Sequence, residues 1–420
     1  MVWLVIYHSY GNQELLAFDY DSQTSSPIVT ASVQWLVNHA RDLAAANSAI
    51  DKKLAAARVI FLGETDHFIN EKVDFRLHWL KRAMQHRRVV IAEELGWSDG
   101  QRVNLYLQTG DDQVLDTLAT FGSKSHQRDD RDDQPTGIFR ASLAHYPHEL
   151  MKRVHSRFYR ALYDHLHNNL HDSQNLVEYI GFDIDAPGGA YEDITRKHPG
   201  LPDSFLDGLT RIPGETLSAE ADRLSQLLTH ALPDDVKQDL LSLIESLRYT
   251  ELVNPAMDYP STAPAMAYRE ESMKRRLTDL LDRLPEDICI VVMGHAFHLA
   301  KDDRLIDGPG IGPGGNQVCS LGHYLTQTQG LPVFSAWMLM GGGTDSQPLP
   351  DLPQTLVYPE NSLNVSLRNA LGEPANISLG SDCPMTGDQT IGHLYSLTAN
   401  VHIMAQADAV TFFPTVTPLS

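Results

Sequence analysis

The sequence predicts an α/β fold: a mostly parallel central sheet flanked by helices. Short β-branched apolar runs recur at Arg58–Leu62, Val89–Ala92, Leu176–Phe182, Ile288–Met293 and Val333–Met340. Each is bounded by Gly, Pro or charge, as buried strands are. The longer stretches between them carry helical period, and strands alternating with helices build parallel sheets. The ligand crevice of such a sheet lies outside the carboxyl ends of its strands, so residues just past a strand are the ones to inspect.

The elements follow in order. The apolar start Met1–Tyr7 lacks a basic segment and stops at His8, so it reads as a first strand, not a signal peptide. After the run at Arg58–Leu62, Ile69, Val73, Leu77, Leu80 and Met84 recur at helical spacing, with Arg76 on the same face. Residues 123–137 are charged, without apolar period, and read as a loop. Residues 147–252 are dominated by helical pattern (Leu224, Leu227, Leu228, Leu240, Leu241, Leu247) and are expected to form a helical cap or insertion. A helix opening at about Pro264 has Met273, Leu277, Leu280 and Leu284 as its apolar face, again with an arginine, Arg269, on it. The Gly/Pro-rich stretch Gly308–Gly315 reads as a second loop. The expectation is one catalytic domain over residues 1–420 with that cap.

Composition narrows the class. The chain has 420 residues, 42% hydrophobic, enough for a sizeable core. Its formal net charge of −21 repels phosphate backbones, so nucleic acid is not expected as a partner. No stretch reaches the roughly 18 apolar residues that span a bilayer, so no membrane partner is expected either. Cys289, Cys319 and Cys383 are too few, and odd in number, for a disulfide framework, which fits a cytoplasmic location. A small molecule remains as the expected ligand.

Several motifs are missing. There is no Gly-x-Ser-x-Gly elbow for a serine nucleophile and no Walker A sequence. The Gly310–Gly315 stretch matches GxGxxG by spacing, but it follows no strand directly and contains Pro313, so no dinucleotide is expected there.

What remains is a set of charged residues at strand ends. Gly63-Glu64-Thr65-Asp66-His67 follows the first strong strand, where His67 near a helix start would be kept neutral, the form a general base needs. The structural alternative is helix capping by Thr65 or Asp66 with His67 a bystander. Glu93 and Glu94 end the next strand; neighbours on a strand point to opposite faces, so one of them is expected to enter the site. Gly294-His295-Ala-Phe-His298 follows the run at Ile288–Met293, and Asp183 ends the run at Leu176–Phe182. Arg76 and Arg269 sit on buried helix faces and must be paired there, structurally or in an acidic pocket. Base, carboxylate and cations converging on one sheet edge are what hydrolysis without a serine nucleophile requires.

These residues resemble the erythromycin esterase family. Its pattern is a Gly-Glu-x-x-His signature with an arginine nine residues later, a glutamate three residues before a tryptophan, an Arg-x-x-x-Met helix and a Gly-His-x-x-His strand exit. Here these are Gly63-Glu64-Thr-Asp-His67 with Arg76, Glu94 with Trp97, Arg269 with Met273, and Gly294-His295-Ala-Phe-His298. Val103-Asn104-Leu-Tyr106, Leu321-Gly322-His-Tyr-Leu325 and the closing Ala407–Pro414 are also similar. Asp66 and Phe68 stand where small residues usually flank the signature histidine, and Ala296 replaces an asparagine.

The resemblance implies an α/β fold and an esterase or lactonase acting on a natural-product-like compound, in antibiotic resistance or biosynthesis, without a cofactor. His67, Glu64, Glu94, Arg269, His295 and Arg76 would be catalytic, and Asp66, Phe68, Trp97, Asp183 and His298 would bind substrate. Three alternatives share these residues. One is cyclisation, dehydration or acyl transfer. Another is a metal-dependent hydrolase using Glu64, Asp66, His67, Glu94, His295 and His298 as ligands. The third is a non-catalytic binding protein.

Overall fold

In the computed structural model the central sheet has eight strands: β1 (Ala40–Arg41), β2 (Val59–Glu64), β3 (Arg88–Gly96), β4 (Leu176–Asp183), β5 (Ile288–His295), β6 (Val333–Met340), β7 (Ala375–Ser378) and β8 (Ala409–Phe413). The residues described are 3–4, 16–17, 27–43, 45, 47–67, 69–115, 118, 160–169, 175–184, 190–210, 212, 214–252, 262–308, 319–345, 355–393 and 396–418. Spatial order is β1-β7-β8-β6-β2-β5-β3-β4. The five runs expected from the sequence are the adjacent strands β6-β2-β5-β3-β4, all parallel. Strand β8 adds to β6 in parallel, and β7 and β1 close that edge antiparallel.

Strands β2, β3 and β5 are apolar on both faces because both faces are covered. Ile60, Leu62, Val89, Ile91, Val291 and Met293 pack on one side, with Phe75, Trp79 and Leu80 of the Glu71–Met84 helix. Val59, Phe61, Val90, Ala92, Ile290 and Val292 pack on the other, with Met273, Leu277 and Leu280 of the Thr262–Arg283 helix. The first of these helices is rotated from the expected face. Its buried set is Lys72, Phe75, Arg76, Trp79, Leu80, Arg82 and Ala83, whereas Val73, Leu77 and Met84 are only partly buried. Two aromatic rings bury more area than Val and Leu, and so set the rotation. The helix also starts at Glu71, a turn past His67.

The Trp97–Thr109 helix lies directly on β4: a Cβ on Gly100 would fall 1.8 Å from the Gly181 nitrogen. Beyond it, Ala190–Lys197, Asp203–Leu209, Leu217–Leu227 and Asp234–Leu252 are helical and bury Ile194, Phe205, Leu224, Leu240 and Leu247 in a cluster of their own, joined by Trp97. Much of the rest of 147–189 lies outside the described residues, as do the 123–137 loop and all of Gly308–Gly315 except Gly308. Trp3–Leu4 pairs with Leu16–Ala17 in a ladder apart from the central sheet, so the apolar start does not supply its first strand. A separate antiparallel sheet joins Gln389–His393, Leu397–Val401 and Ile306–Asp307. Among the described residues, no helix is long and apolar enough to cross a membrane.

Candidate active site

The register of the sheet assembles the site. Glu64 at the end of β2 pairs with His295 at the end of β5, and Gly63 with Gly294. On the other side of β5, Glu93 of β3 pairs with Met293, and the β3–β4 register then shifts between Glu93 and Gly96. Alternation along β3 sends Glu93 to the face of the Glu71–Met84 helix and Glu94 to that of the Thr262–Arg283 helix. Each of these helices meets its carboxylate with an arginine.

On the first face Arg76 bridges two strands. Its Nη2 donates to Glu64 Oε1 at 2.9 Å, its Nε to Glu64 Oε2 at 3.2 Å, and its Nη1 to Glu93. Glu93 also accepts from the Tyr179 and Tyr163 hydroxyls. Arg76, Glu64 and Glu93 are each 1% exposed, so the pairing is obligatory. Lys72 Nζ lies 3.8 Å from Glu64 Oε1 and donates to the His67 carbonyl at 2.7 Å. Burial alone would raise the Glu64 carboxyl, but Arg76, Lys72 and His67 outweigh it and bring it down to about 2. The same burial drives the Lys72 ammonium down to about 8, partly offset by Glu64.

His67 stands on this platform. Its Nδ1 is 3.2 Å from Glu64 Oε1. In the neutral ring this contact places the proton on Nδ1 and the lone pair on Nε2. The His67 and His295 rings lie 5.3 Å apart.

On the second face Arg269 Nη2 donates to Glu94 Oε1 at 2.7 Å, and its Nε to Asp183 Oδ1 at 2.7 Å. Glu94 Oε2 accepts the His295 backbone N–H at 2.7 Å. This contact needs a glycine before His295: a Cβ on Gly294 would fall 2.8 Å from Glu94 Oε2. Burial opposes ionisation of Glu94, but His298, Arg269 and His67 hold it well below the usual carboxylate range. His298 sits between Glu270, which its Nδ1 contacts, and Glu94, 3.4 Å from Nε2. Burial disfavours its charged form, yet the two carboxylates raise its imidazole above the ordinary value.

His295 differs. Burial, with His67 and His393 nearby, holds it well below the ordinary value, so it is neutral. Its Nδ1 accepts the Phe297 N–H at 3.4 Å, which places the ring proton on Nε2. Nε2 has no hydrogen-bond partner among the described residues.

Strand ends and helix faces thus bring together Glu64, His67, Arg76, Glu94, Asp183, Arg269, His295 and His298. Asp66 is buried beside them and acts electrostatically on Lys72. Trp97 packs into the helical cluster with Tyr191 and Leu224, and Phe68 lies outside the described residues. Lys72, Glu270 and His393 are further neighbours of the site not picked out in the sequence. Among the described residues, Asp302, Asp303 and His323 form the one group of potential metal ligands whose atoms converge within 4.8 Å. The expected alternative set is not such a group; Arg76 and Arg269 occupy its glutamates.

Comparison with known proteins places the fold. No family model matches the chain, and no curated protein does. Solved structures do. A protein from Bacillus cereus superposes with a TM-score of 0.63 at 14% identity, covering 93% of this chain and 98% of that one. A succinoglycan biosynthesis protein gives 0.61 at 15% identity, covering 94% and 99%. A mutant of the erythromycin esterase EreC in its open conformation gives 0.60 at 16% identity, covering 89% and 94%. At these identities the likeness is one of fold, and it extends over nearly the whole chain.

Proposed function

We propose that the protein hydrolyses an ester or lactone of an uncharged, natural-product-like small molecule, using water activated by His67. The observation that carries this is the His67–Glu64 contact at 3.2 Å, with Glu64 locked by Arg76. A carboxylate that cannot turn away fixes both the tautomer and the orientation of the ring. His67 Nε2 takes a proton from water, and the hydroxide attacks the acyl carbon; collapse of the tetrahedral intermediate breaks the acyl C–O bond, and His67 returns the proton to the leaving alkoxide. His295 Nε2–H, a neutral donor with no hydrogen-bond partner among the described residues, takes the oxyanion. Arg269 holds Glu94, and Glu94 holds the His295 backbone, so the guanidinium positions the donor instead of meeting the oxyanion itself. Asp183 fixes the guanidinium, and His298 braces Glu94.

The likeness to an esterase fold supports the reading. The decisive experiment is turnover of a panel of esters and lactones in H₂¹⁸O. Hydrolysis places one label in the product acid and depends on His67. A product formed by cyclisation, dehydration or transfer carries none, and that outcome overturns the hydrolytic reading. Activity lost on chelation and restored by a metal would replace the water-activation step with a metal-dependent one.

A further inference from the structure

Lys72 stands where a helix does not favour a cation. It is the second residue of the Glu71–Met84 helix, whose N-terminal turn carries partial positive charge. Its side chain is 0% exposed, and taking an ammonium out of water is costly. Arg76, one turn further along the same helix, is equally buried and carries the same charge. Helix dipole, burial and like charge all oppose an ammonium at this position. A residue so at odds with its local surroundings points to a role for its charge.

The contacts of Lys72 define that role. Side chains in the first turn of a helix tilt back over the segment that leads into it. Lys72 Nζ donates to the His67 carbonyl at 2.7 Å and lies 3.8 Å from Glu64 Oε1. The same Oε1 is 3.2 Å from His67 Nδ1 and accepts from Arg76 Nη2 at 2.9 Å. The ammonium thus holds His67 twice, the main chain directly and the ring through Glu64. The charged groups that act on it are Glu64 at the end of β2, Glu93 on β3, Arg76 on its own helix and Asp66 in the segment between. Lys72 and Arg76 together balance Glu64 and Glu93. With Lys72 removed, Arg76 alone faces both, and the excess negative charge favours a second proton on the His67 ring. An imidazolium cannot take a proton from water. Burial holds the Lys72 ammonium down at about 8, so it is charged in most molecules at pH 7.

We propose that Lys72 is a positioning residue for the general base: it anchors the His67 main chain and shares Glu64 with Arg76, so that Glu64 orients the His67 ring without drawing a second proton onto it. The proposal rests on reading His67 as the base of the reaction.

The test compares wild type with Lys72→Met, which keeps the length of the side chain and removes its charge. Histidine ¹⁵N NMR at pH 7.5, with the His67 signals assigned against His67→Ala, reads the ring without any substrate. Wild type should show one tautomer, protonated on Nδ1, and Lys72→Met a tautomer mixture or the imidazolium. In turnover, Lys72→Met should lower kcat about tenfold or more at pH 7 with KM within about twofold. The acid limb of its kcat/KM profile should move up by about one pH unit, so that part of the activity returns at higher pH. A lysine that served folding alone would change the amount of folded protein and leave tautomer and limb in place. The wild-type tautomer and acid limb in Lys72→Met overturn the proposal. If Lys72→Met fails to fold, wild type alone decides: the His67 ¹⁵N shifts should step near pH 8 as the ammonium loses its proton, and constant shifts from pH 7 to 9.5 overturn the proposal. The outcomes separate the two readings. A disturbed His67 ring in Lys72→Met, in a protein that hydrolyses no ester, keeps Lys72 as the residue that positions His67 and removes the hydrolytic reading. His67-dependent hydrolysis with Lys72→Met indistinguishable from wild type does the reverse.

Discussion

Arg269 Nη2 lies 2.7 Å from Glu94 Oε1, and Glu94 in turn accepts the backbone N–H of His295 at 2.7 Å. A helix on one face of the sheet is thereby tied through β3 to the exit of β5. Arg269 also carries two contacts to Asp183, so one guanidinium joins the ends of three neighbouring strands.

Arg269→Lys keeps the charge but not the fork. An ammonium can hold Glu94 or Asp183, not both in the observed geometry. The expected result is a fall of at least tenfold in kcat/KM with the Tm lowered by several degrees. Arg269→Ala takes the guanidinium from both Glu94 and Asp183, leaving Glu94 with His298 and the His295 N–H, and should cost about 3–5 kcal/mol in urea unfolding. Wild-type stability in the alanine variant would show that this pairing does not hold the sheet edge together.

His67→Ala separates chemistry from folding. The His67 side chain is 12% exposed, and it contacts Glu64, which keeps Arg76. Loss of a general base costs about 10²–10⁴-fold in rate. We expect that loss in kcat on whichever ester is turned over, with a Tm within a few degrees of wild type. A variant that unfolds while its residual folded fraction stays active would make His67 a structural residue.

The five central strands and both buried arginines were legible because they obey strong rules. Apolar runs such as Ile288–Met293 are read from composition alone, and a charge at Arg76 or Arg269 on an apolar helix face must find a partner. The family-like spacing to Trp97 favours Glu94 over Glu93; strand alternation sends Glu93 to Arg76 and Glu94 to Arg269, so each meets an arginine. Lys72 is hidden in the sequence because the apolar spacing points Val73 and Leu77 inward, which puts Lys72 near the edge of the face; Phe75 and Trp79 turn it inward. Glu270 follows Arg269 directly, and neighbouring helix positions do not share a face. It reaches the site by accepting from the Leu321 N–H and His298. His393 ends a short strand of another sheet, far along the chain, and only tertiary structure brings it to Phe297. The similar closing block has a structural explanation: Asp408 accepts from Lys53, Lys301 and the Ser335 N–H, at the start of β8 and β6.

Gly294→Ala tests the close approach in the centre of the site. The new methyl would fall 2.8 Å from Glu94 Oε2 and 3.0 Å from its Cβ, so the carboxylate must move off the His295 N–H. Overpacking of this kind costs about 1–3 kcal/mol. The expected outcome is a destabilisation in that range and a drop of at least tenfold in kcat, because the His295 ring is no longer fixed. Full activity in Gly294→Ala would show that the Glu94–His295 contact does not position the donor.

The last prediction is the response of stability to acid. His393 has an ordinary imidazole value of 6.5, which burial lowers to about 4 in the folded protein. Its folded value is depressed, so the unfolded chain binds the proton first. Its neutral form is fully compatible with folding above pH 6.5, and its contribution is lost as pH falls from there towards 4. The buried His295 shifts in the same direction. Glu64, held at about 2 against an ordinary 4.5, adds a second loss only at lower pH, as the unfolded carboxyl takes up protons below 4.5. His298 is raised and works the other way, gaining stability as pH falls through its folded value. For His393 alone the window from 6.5 to 4 corresponds to about 3 kcal/mol. His393→Asn removes the titrating group, so its unfolding free energy should fall less steeply between pH 6.5 and 4 than that of wild type, by an amount of that order. Urea titrations at pH 7.5, 6 and 4.5 measure the difference. Parallel curves for the two proteins would mean that His393 is hydrated in the folded state.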